Sequence, residues 1–332
     1  MLISRTPFRL PLGGGGTDLP SYYQAHGGFL VTAALGLHMN ICMNEPVMLN
    51  QIKINYSHVE TVDIDKIETI RHEIVRESLK FLKWKKSLEI SSMADIASGT
   101  GLGSSSSYTV GLLNGLNSLL RRHVSVDQLA EEACQIEMEW IGKPIGKQDQ
   151  YAAAYGGIIS LEINQAGKVF VTRLHLEPEF ITELQHRLMI FYTTIQRDAN
   201  EILEHQQFKI LKRNEKKALE AMHRIKQIGF EVRDALEAGD CSALGRLFHK
   251  HWMAKKQISE KMSSSQIDEW YELAMNHGAL GGKIMGAGGG GFFVFCCEYG
   301  KRKHLRSVLE NAGLKYTRCT FDFEGSKILG NF

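Results

Sequence analysis

The spacing of apolar positions changes along the chain, and each change marks an element. Between residues 28 and 64 apolar residues come in runs and alternations that predict strands over 28–35, 37–43, 52–57 and 59–64. Ile67, Ile70, Ile74, Val75, Leu79 and Leu82 recur at helical spacing and predict a helix over 67–83, with a short strand at 88–92 behind it. Tyr108, Val110, Leu113, Leu116 and Leu120 predict a helix over 104–121. Another, over 126–141, starts behind Ser125 as N-cap and turns Ala130, Ala133, Cys134, Trp140 and Ile141 to one face. Strands 158–163 and 169–174 pair as a hairpin. The second half reads strand 187–193, helices over 198–236, 243–261 and 266–277, strand 292–297, helix 301–311 and a closing strand 315–322, with Gly278 and Gly313 as helix stops. At the front, 3–12 predicts an edge strand interrupted by Pro7 and Pro11, which cannot donate to a ladder. This order predicts an α+β fold with helices on one face of a mostly antiparallel sheet. A chain of 332 residues exceeds the usual single core, and the register changes after Pro178. Two domains are therefore expected, 1–182 and 183–332, divided near Glu183.

The stretch 95–109, DIASGTGLGSSSSYT, stands out against this pattern. Gly99, Gly101 and Gly103 alternate, four serines follow, and a helix begins at once. Glycines reach positive φ and let a backbone approach a ligand, and a helix start offers unpaired N–H groups to an anion. The stretch reads as a phosphate cradle. A Gly/Ser linker would be longer and would not run directly into an apolar-periodic segment. No G-x-x-x-x-G-K-[ST] string exists, so a P-loop is excluded, and the Lys–HRD–DFG set is absent. Gly286 to Gly291 satisfies G-x-G-x-x-G but runs into a strand where a Rossmann loop would open a helix.

Three further features carry candidate chemistry. Glycines 13–16 deliver Thr17 and Asp18, either as a wide turn with one of these capping the next segment or as a loop bringing Arg9 and Asp18 to a polar ligand. Glu137 points into the middle of its helix's apolar face while Glu132 and Glu139 point away; a buried carboxylate needs a partner, in an internal salt bridge or a metal site. The loop 142–157 carries Lys143, Lys147 and Asp149 into an alanine-rich helical turn.

Composition narrows the classes. A formal charge of +2 with 43% apolar and 23% charged residues describes an ordinary globular protein without a polyanion-binding surface, and no nucleic-acid-reading motif is present. The amino terminus lacks the apolar core of a signal peptide and no 18-residue apolar run occurs, so a cytoplasmic protein without a membrane partner is expected. Six cysteines without CxxC spacing predict neither a disulfide nor a structural metal, and His249 and His251 read as a helix surface.

Three segments together carry a resemblance. RTPFR…GTD within 5–18, GTGLGSSS at 99–106 and GAGGGG at 286–291 resemble, in order and spacing, the three signatures of the GHMP small-molecule kinases. RTPFRLPLGGGGTDLPSYY and IGKQDQYAAAYGG resemble more narrowly the D-glycero-D-manno-heptose 7-phosphate kinases of that group. The resemblance implies a ribosomal S5 domain 2-like N-terminal domain, a ferredoxin-like C-terminal domain, and ATP and Mg²⁺ as cofactors. It makes Asp149 the catalytic aspartate and Arg9 the arginine that steadies it and the transferring phosphoryl group. Gly99, Gly101, Leu102, Gly103, Ser104, Ser105 and Ser106 would hold ATP, with Ser105 and Glu137 on Mg²⁺. Asp18, Gly15, Gly16, Thr17, Gly286, Gly288 and Gly289 would shape the substrate site, and Lys147, Arg197 and Lys283 are candidates for a substrate phosphate. Two departures stand out: Ala97 replaces a usual proline, and Gly15–Gly16 replaces the Glu–His pair of galactokinase-type sequences, which makes room for a bulkier sugar. The implied reaction phosphorylates the anomeric hydroxyl of a heptose 7-phosphate, for nucleotide-heptose and surface-glycan synthesis. A free-sugar kinase of fucokinase or galactokinase type and a catalytically silent sugar sensor are the alternatives, and a homodimer is left open.

Overall fold

The computed structural model describes residues 1–97, 99–195 and 216–331. Arg197 and residues 198–215 of the helical stretch expected over 198–236 lie outside these residues. Two sheets organise the rest. The first contains β1 (Leu2–Gly13), β2 (Gly28–Asn44), β3 (Gln51–Asn55), β4 (Val59–Asp63), β5 (Leu88–Ala94), β6 (Ile158–Ile163), β7 (Val169–Arg173) and a late strand, Lys327–Asn331. The second contains β8 (Leu188–Tyr192), β9 (Ala279–Ile284), β10 (Phe292–Cys297) and β11 (Lys315–Arg318), all antiparallel in the order β11-β8-β10-β9. The late strand is β12; it pairs with β1 through Leu2 to Arg5. Among the described residues only β3 and β5 run parallel. The α+β class read from the sequence holds.

The two strands expected over 28–43 form one bent strand. Residues 28–33 pair with β6 and residues 39–44 with β5, and the ladder to β1 shifts register between them. Gly36 sits at the bend, where a Cβ would lie 2.4 Å from Thr320 Oγ1. Both prolines of β1 stand at register shifts, beside the Pro7/Arg9 and Pro11/Gly13 irregularities, so their missing N–H groups interrupt no regular ladder. β1 is covered by β12 over residues 2–5 and open beyond, so the edge-strand expectation holds for its second half alone.

Helix α1 is Pro20–His26 and α2 is Glu73–Phe81. The helix expected over 67–83 is broken. A 3₁₀ turn covers Ile64–Thr69, and the Glu60 carboxylate then accepts the amides of Arg71 and His72 at 2.7 and 3.1 Å, withdrawing them from any helix. Helix α3 (Ser104–Leu119) lies close on the first sheet through Gly111 and Gly115, whose missing Cβ atoms make room for Thr6 and Met43. Helix α4 (Val126–Cys134) starts as expected, with Ser125 Oγ accepting the Gln128 amide, but gives way to a π-helical turn over Gln135–Trp140. That turn leaves Trp140 exposed, against the expected apolar face, and Glu132 is buried on Arg122 and Gln128 instead of pointing away. Helix α5 is Gln148–Tyr155, and α6, Pro178–Arg187, contains Glu183.

Helices α7 (Lys216–Glu237), α8 (Cys241–Lys256), α9 (Ser265–Asn276) and α10 (Arg302–Asn311) complete the described α-helices. One apolar cluster joins Leu10 and Val31 of the first sheet to Ile228 and Val232 of α7 and to Leu188 and Val294 of the second. Among the described residues no helix is long and apolar enough to cross a membrane.

Helix α8 rests on β9 at backbone distance: a Cβ on Gly281 would lie 2.0 Å from the Gly245 carbonyl and 2.8 Å from the His249 amide. Nothing flexible is there to yield. Gly281→Ala is expected to destabilise the protein by about 1–3 kcal/mol through overpacking, read as a lower urea midpoint at unchanged m-value; an unchanged midpoint would show that α8 can lift away without cost.

Candidate active site

The glycine loop takes the conformation its residues allow. Gly99, Gly101 and Gly103 all have positive φ, at 77°, 85° and 79°, and Gly103 hands the chain directly to α3. The first amides of that helix are left without helical partners, and the positive end of its dipole lies there. Of the serines 104–107 only Ser105 is exposed; Ser104 and Ser106 turn inward, and Ser107 Oγ donates to the Pro7 carbonyl at 2.8 Å. Leu102 is fully buried, and its carbonyl accepts the Arg9 amide at 3.1 Å. Strand β1 and the glycine loop are thereby tied together.

Arg9 grips Asp149 with two bonds, Nε to Oδ1 at 2.6 Å and Nη2 to Oδ2 at 3.0 Å, while its Nη1 donates to the Gly101 carbonyl at 2.6 Å. The planar guanidinium matches a carboxylate in this bidentate way, which fixes orientation as well as attraction. Asp149 stands in the first turn of α5 and keeps 24% of its side chain exposed, against 7% for Arg9. A Cβ on Gly103 would come within 3.0 Å of Asp149 Oδ2 and 3.2 Å of Arg9 Cγ, so the loop can lie against the pair because that residue is glycine.

Asp18 stands beside them. Its two oxygens accept the amides of Gly16 and Gln148, both at 3.0 Å, so it joins the glycine turn of 13–16 to the start of α5. It caps a helix remote in sequence; the following helix α1 has no side-chain cap. Burial raises its pKa most, the amide bonds lower it, and neighbouring Asp149 raises it. Thr17 turns away and is fully buried, its hydroxyl bound to the carbonyls of Gly14 and Phe29. Gly15 and Gly16 line the same cleft as Arg9, Asp18 and Asp149. A Cβ on Gly15 would meet only Gln148 Oε1, at 3.5 Å.

A second polar group forms at the far end of the loop. Ser105 Oγ donates to Glu137 Oε1 at 2.6 Å, and Gln150 Nε2 donates to Oε2 at 2.8 Å. Lys143 Nζ bridges Ser105 Oγ and Glu137 Oε1 at 2.6 and 3.2 Å. The carboxylate is fully buried, and the π-helical turn that carries it departs from regular helix where such turns often mark functional positions. A hydroxyl and a carboxylate are hard oxygen donors of the kind Mg²⁺ takes, and a cation already lies between them. Among the described residues no cluster of three His, Cys, Asp or Glu could hold a metal alone, so a Mg²⁺ ion here would complete its shell with phosphate oxygens and water.

The remaining candidates separate. Gly286 lines the cleft, and a Cβ there would strike the Gly101 carbonyl at 2.9 Å, so the two glycine loops touch. Gly288 and Gly289 instead pack on Met262, the latter by an amide bond of 2.8 Å. Lys147 faces away, bound to Glu131 and to the Gly167 carbonyl. Lys283 lines the cleft. So do His251 and Lys255, which sequence reasoning missed; His251 is buried and not on a helix surface as expected. The signal was present, because Leu244, Leu247, Phe248, His251 and Lys255 share one face of α8 by spacing.

Residues 69–157 match the GHMP kinases N terminal domain and residues 232–314 the GHMP kinases C terminal domain. The chain is 32% identical to the D-glycero-alpha-D-manno-heptose 7-phosphate kinase of Campylobacter jejuni, across 98% of this chain and 97% of that one. The chain belongs to the GHMP kinase family. It is a phosphotransferase with a hydroxyl acceptor, and kinases of this family draw on ATP. This GHMP kinase superposes on a D-glycero-D-manno-heptose 1-phosphate kinase from Bacteroides thetaiotaomicron with a TM-score of 0.81 at 25% identity, each chain fully covered. It shares the fold of Lactococcus lactis galactokinase, with a TM-score of 0.78 at 20% identity over 98% of this chain and 94% of that one.

The raised pKa of Asp18 sets a pH dependence of stability. A carboxyl whose folded pKa lies above its unfolded value of 3.8 binds its proton more tightly in the native state. Its contribution is therefore complete below that unfolded value and declines as pH rises through the folded one. The stability of wild type relative to Asp18→Asn should be greater near about pH 4 than near about pH 7 in urea melts; the opposite trend would mean that the amide bonds outweigh burial.

Proposed function

We propose that this kinase transfers the γ-phosphoryl group of ATP, with Mg²⁺, to the anomeric hydroxyl of D-glycero-D-manno-heptose 7-phosphate. The product would be the 1,7-bisphosphate, a precursor for nucleotide-activated heptose and surface polysaccharide. The observation that carries the reading is the Asp149 carboxylate, held by Arg9 against the glycine loop and open to a cleft it shares with Asp18. Full-length similarity to the Campylobacter jejuni heptose 7-phosphate kinase supports the choice of sugar. The bare Gly15–Gly16 turn supports an acceptor larger than a hexose.

In this mechanism the acceptor hydroxyl lies against Asp149, which takes its proton as the oxygen attacks the γ-phosphorus. The bond to the β-phosphate oxygen breaks and ADP leaves. Arg9 holds the carboxylate in place and adds positive charge beside the transferring group. The amides of the glycine loop and of the first turn of α3 bind the phosphates. Mg²⁺ held by Ser105 and Glu137 would neutralise phosphate charge. Asp18, fixed by two amides, would orient sugar hydroxyls. Phosphoryl transfer needs little covalent work from a protein, so positioning and charge neutralisation supply most of the rate.

Assays of the purified protein with ATP–Mg²⁺ should show turnover of heptose 7-phosphate; turnover of unphosphorylated fucose or galactose alone would overturn the choice of acceptor. Asp149→Asn should lower kcat by about 10²–10⁴-fold while nucleotide binding persists by calorimetry. A near-normal rate would remove Asp149 as the base. Gly15→Glu should raise KM for the sugar and leave KM for ATP nearly unchanged, because its side chain enters the acceptor end of the cleft.

A further inference from the structure

Helix α8 and strand β9 line the same cleft as Asp149 and contribute three basic side chains to it: His251, Lys255 and Lys283. His251 is 3% exposed, and neither ring nitrogen has a hydrogen-bond partner. Lys283 is 2% exposed; it donates to the Leu12 carbonyl at 2.7 Å, lies 5.0 Å from the Phe248 ring centroid, and forms no ion pair among the described residues. Lys255 donates to the carbonyls of Ile284 and Gly286. The carboxylates that line the same cleft are engaged elsewhere, Asp149 by Arg9 and Asp18 by two amides.

This arrangement is costly as it stands. Burial, with Lys255 and Arg9 nearby, pushes the Lys283 pKa well below its ordinary value; burial, with Lys283 and Lys255 nearby, does the same to His251. A buried ammonium without an opposite charge and an imidazole with two unused nitrogens both lose free energy relative to water. Groups perturbed by burial and by neighbouring charge and gathered in one cleft are candidates for a functional site. A ligand anion would offset the cost, and the cleft is where it could enter.

We infer that Lys283, His251 and Lys255 form an anion subsite that holds a phosphate monoester already present on the acceptor. The subsite belongs to the acceptor because the residues lining its cleft include Asp18, Gly15 and Gly16 but not Ser105, Glu137 or Lys143, which lie at the triphosphate end. Lys283 and Lys255 supply charge, and His251 supplies an N–H donor. The assignment of the anion to a sugar rests on the function proposed above.

Steady-state kinetics with heptose 7-phosphate and the same sugar dephosphorylated test the inference. Lys283→Met should reduce the preference for the phosphorylated sugar, as the ratio of kcat/KM values, by about tenfold or more, the size expected for one charged hydrogen bond. KM for ATP should change by less than about twofold, and His251→Gln should act in the same direction more weakly. An equal loss on both sugars, or a rise confined to the ATP KM, overturns the subsite. If the wild-type protein turns over neither sugar, the proposed substrate fails while the subsite is still read by calorimetry with inorganic phosphate. Binding to wild type that weakens at least about tenfold in Lys283→Met supports it; equal binding by both proteins overturns it.

Discussion

The bidentate bond between Arg9 and Asp149 is the constraint on which the rest of the site depends. It joins a residue of β1 to one of α5, and through the Gly101 carbonyl it includes the glycine loop as a third member. Three segments far apart in sequence are fixed to one another by a single guanidinium. Each glycine near it has a physical reason. Gly103 lies against the pair because it has no Cβ, and Gly286 reaches the Gly101 carbonyl for the same reason. Asp18 ties the glycine turn of 13–16 to the helix that presents Asp149, so that helix is held from two sides.

Much of this was legible in the sequence, because backbone demands leave marks there. Alternating glycines before an apolar-periodic helix have few uses, and the structure gives all three the positive φ that only glycine adopts cheaply. Glu137 could be singled out as a carboxylate on an apolar face, and it is buried among three donors. What could not be read was the bending of regular elements. A π-helical turn differs from an α-helix by about one residue per turn, which the apolar spacing over a single turn does not reveal, so Trp140 falls off the expected face, while Glu132, in the regular part of α4, is held inward by Arg122 and Gln128. Strand β9, ALGGKI, was missed for a different reason. Its glycines are there for the approach of α8 and of Phe295, and they remove the side chains by which strands are recognised.

Side-chain direction in loops was equally hidden. Lys147 and Lys143 are four residues apart in one loop, yet one faces Glu131 and the other bridges Ser105 and Glu137. Thr17 neighbours Asp18 but spends its hydroxyl on two interior carbonyls. His251 is two residues from His249, yet helical spacing places it beside Phe248 and Lys255, and it is buried. A motif names a stretch of chain; burial decides which of its side chains reach the ligand.

The pairing of β1 with β12 has a consequence in time. Strand β1 leaves the ribosome before the other described elements, and the strand that covers Leu2 to Arg5 is the last of those described to be made. Ser326, just before it, bonds to both Thr6 and Asn114. Until these residues emerge, β1 has an open margin only a few residues from Arg9. The nascent chain can therefore assemble β2, α3 and even the Arg9–Asp149 bond while the strand beneath them is still half bare. Completion of the sheet waits until β12 has been made, about three hundred residues after the strand it covers.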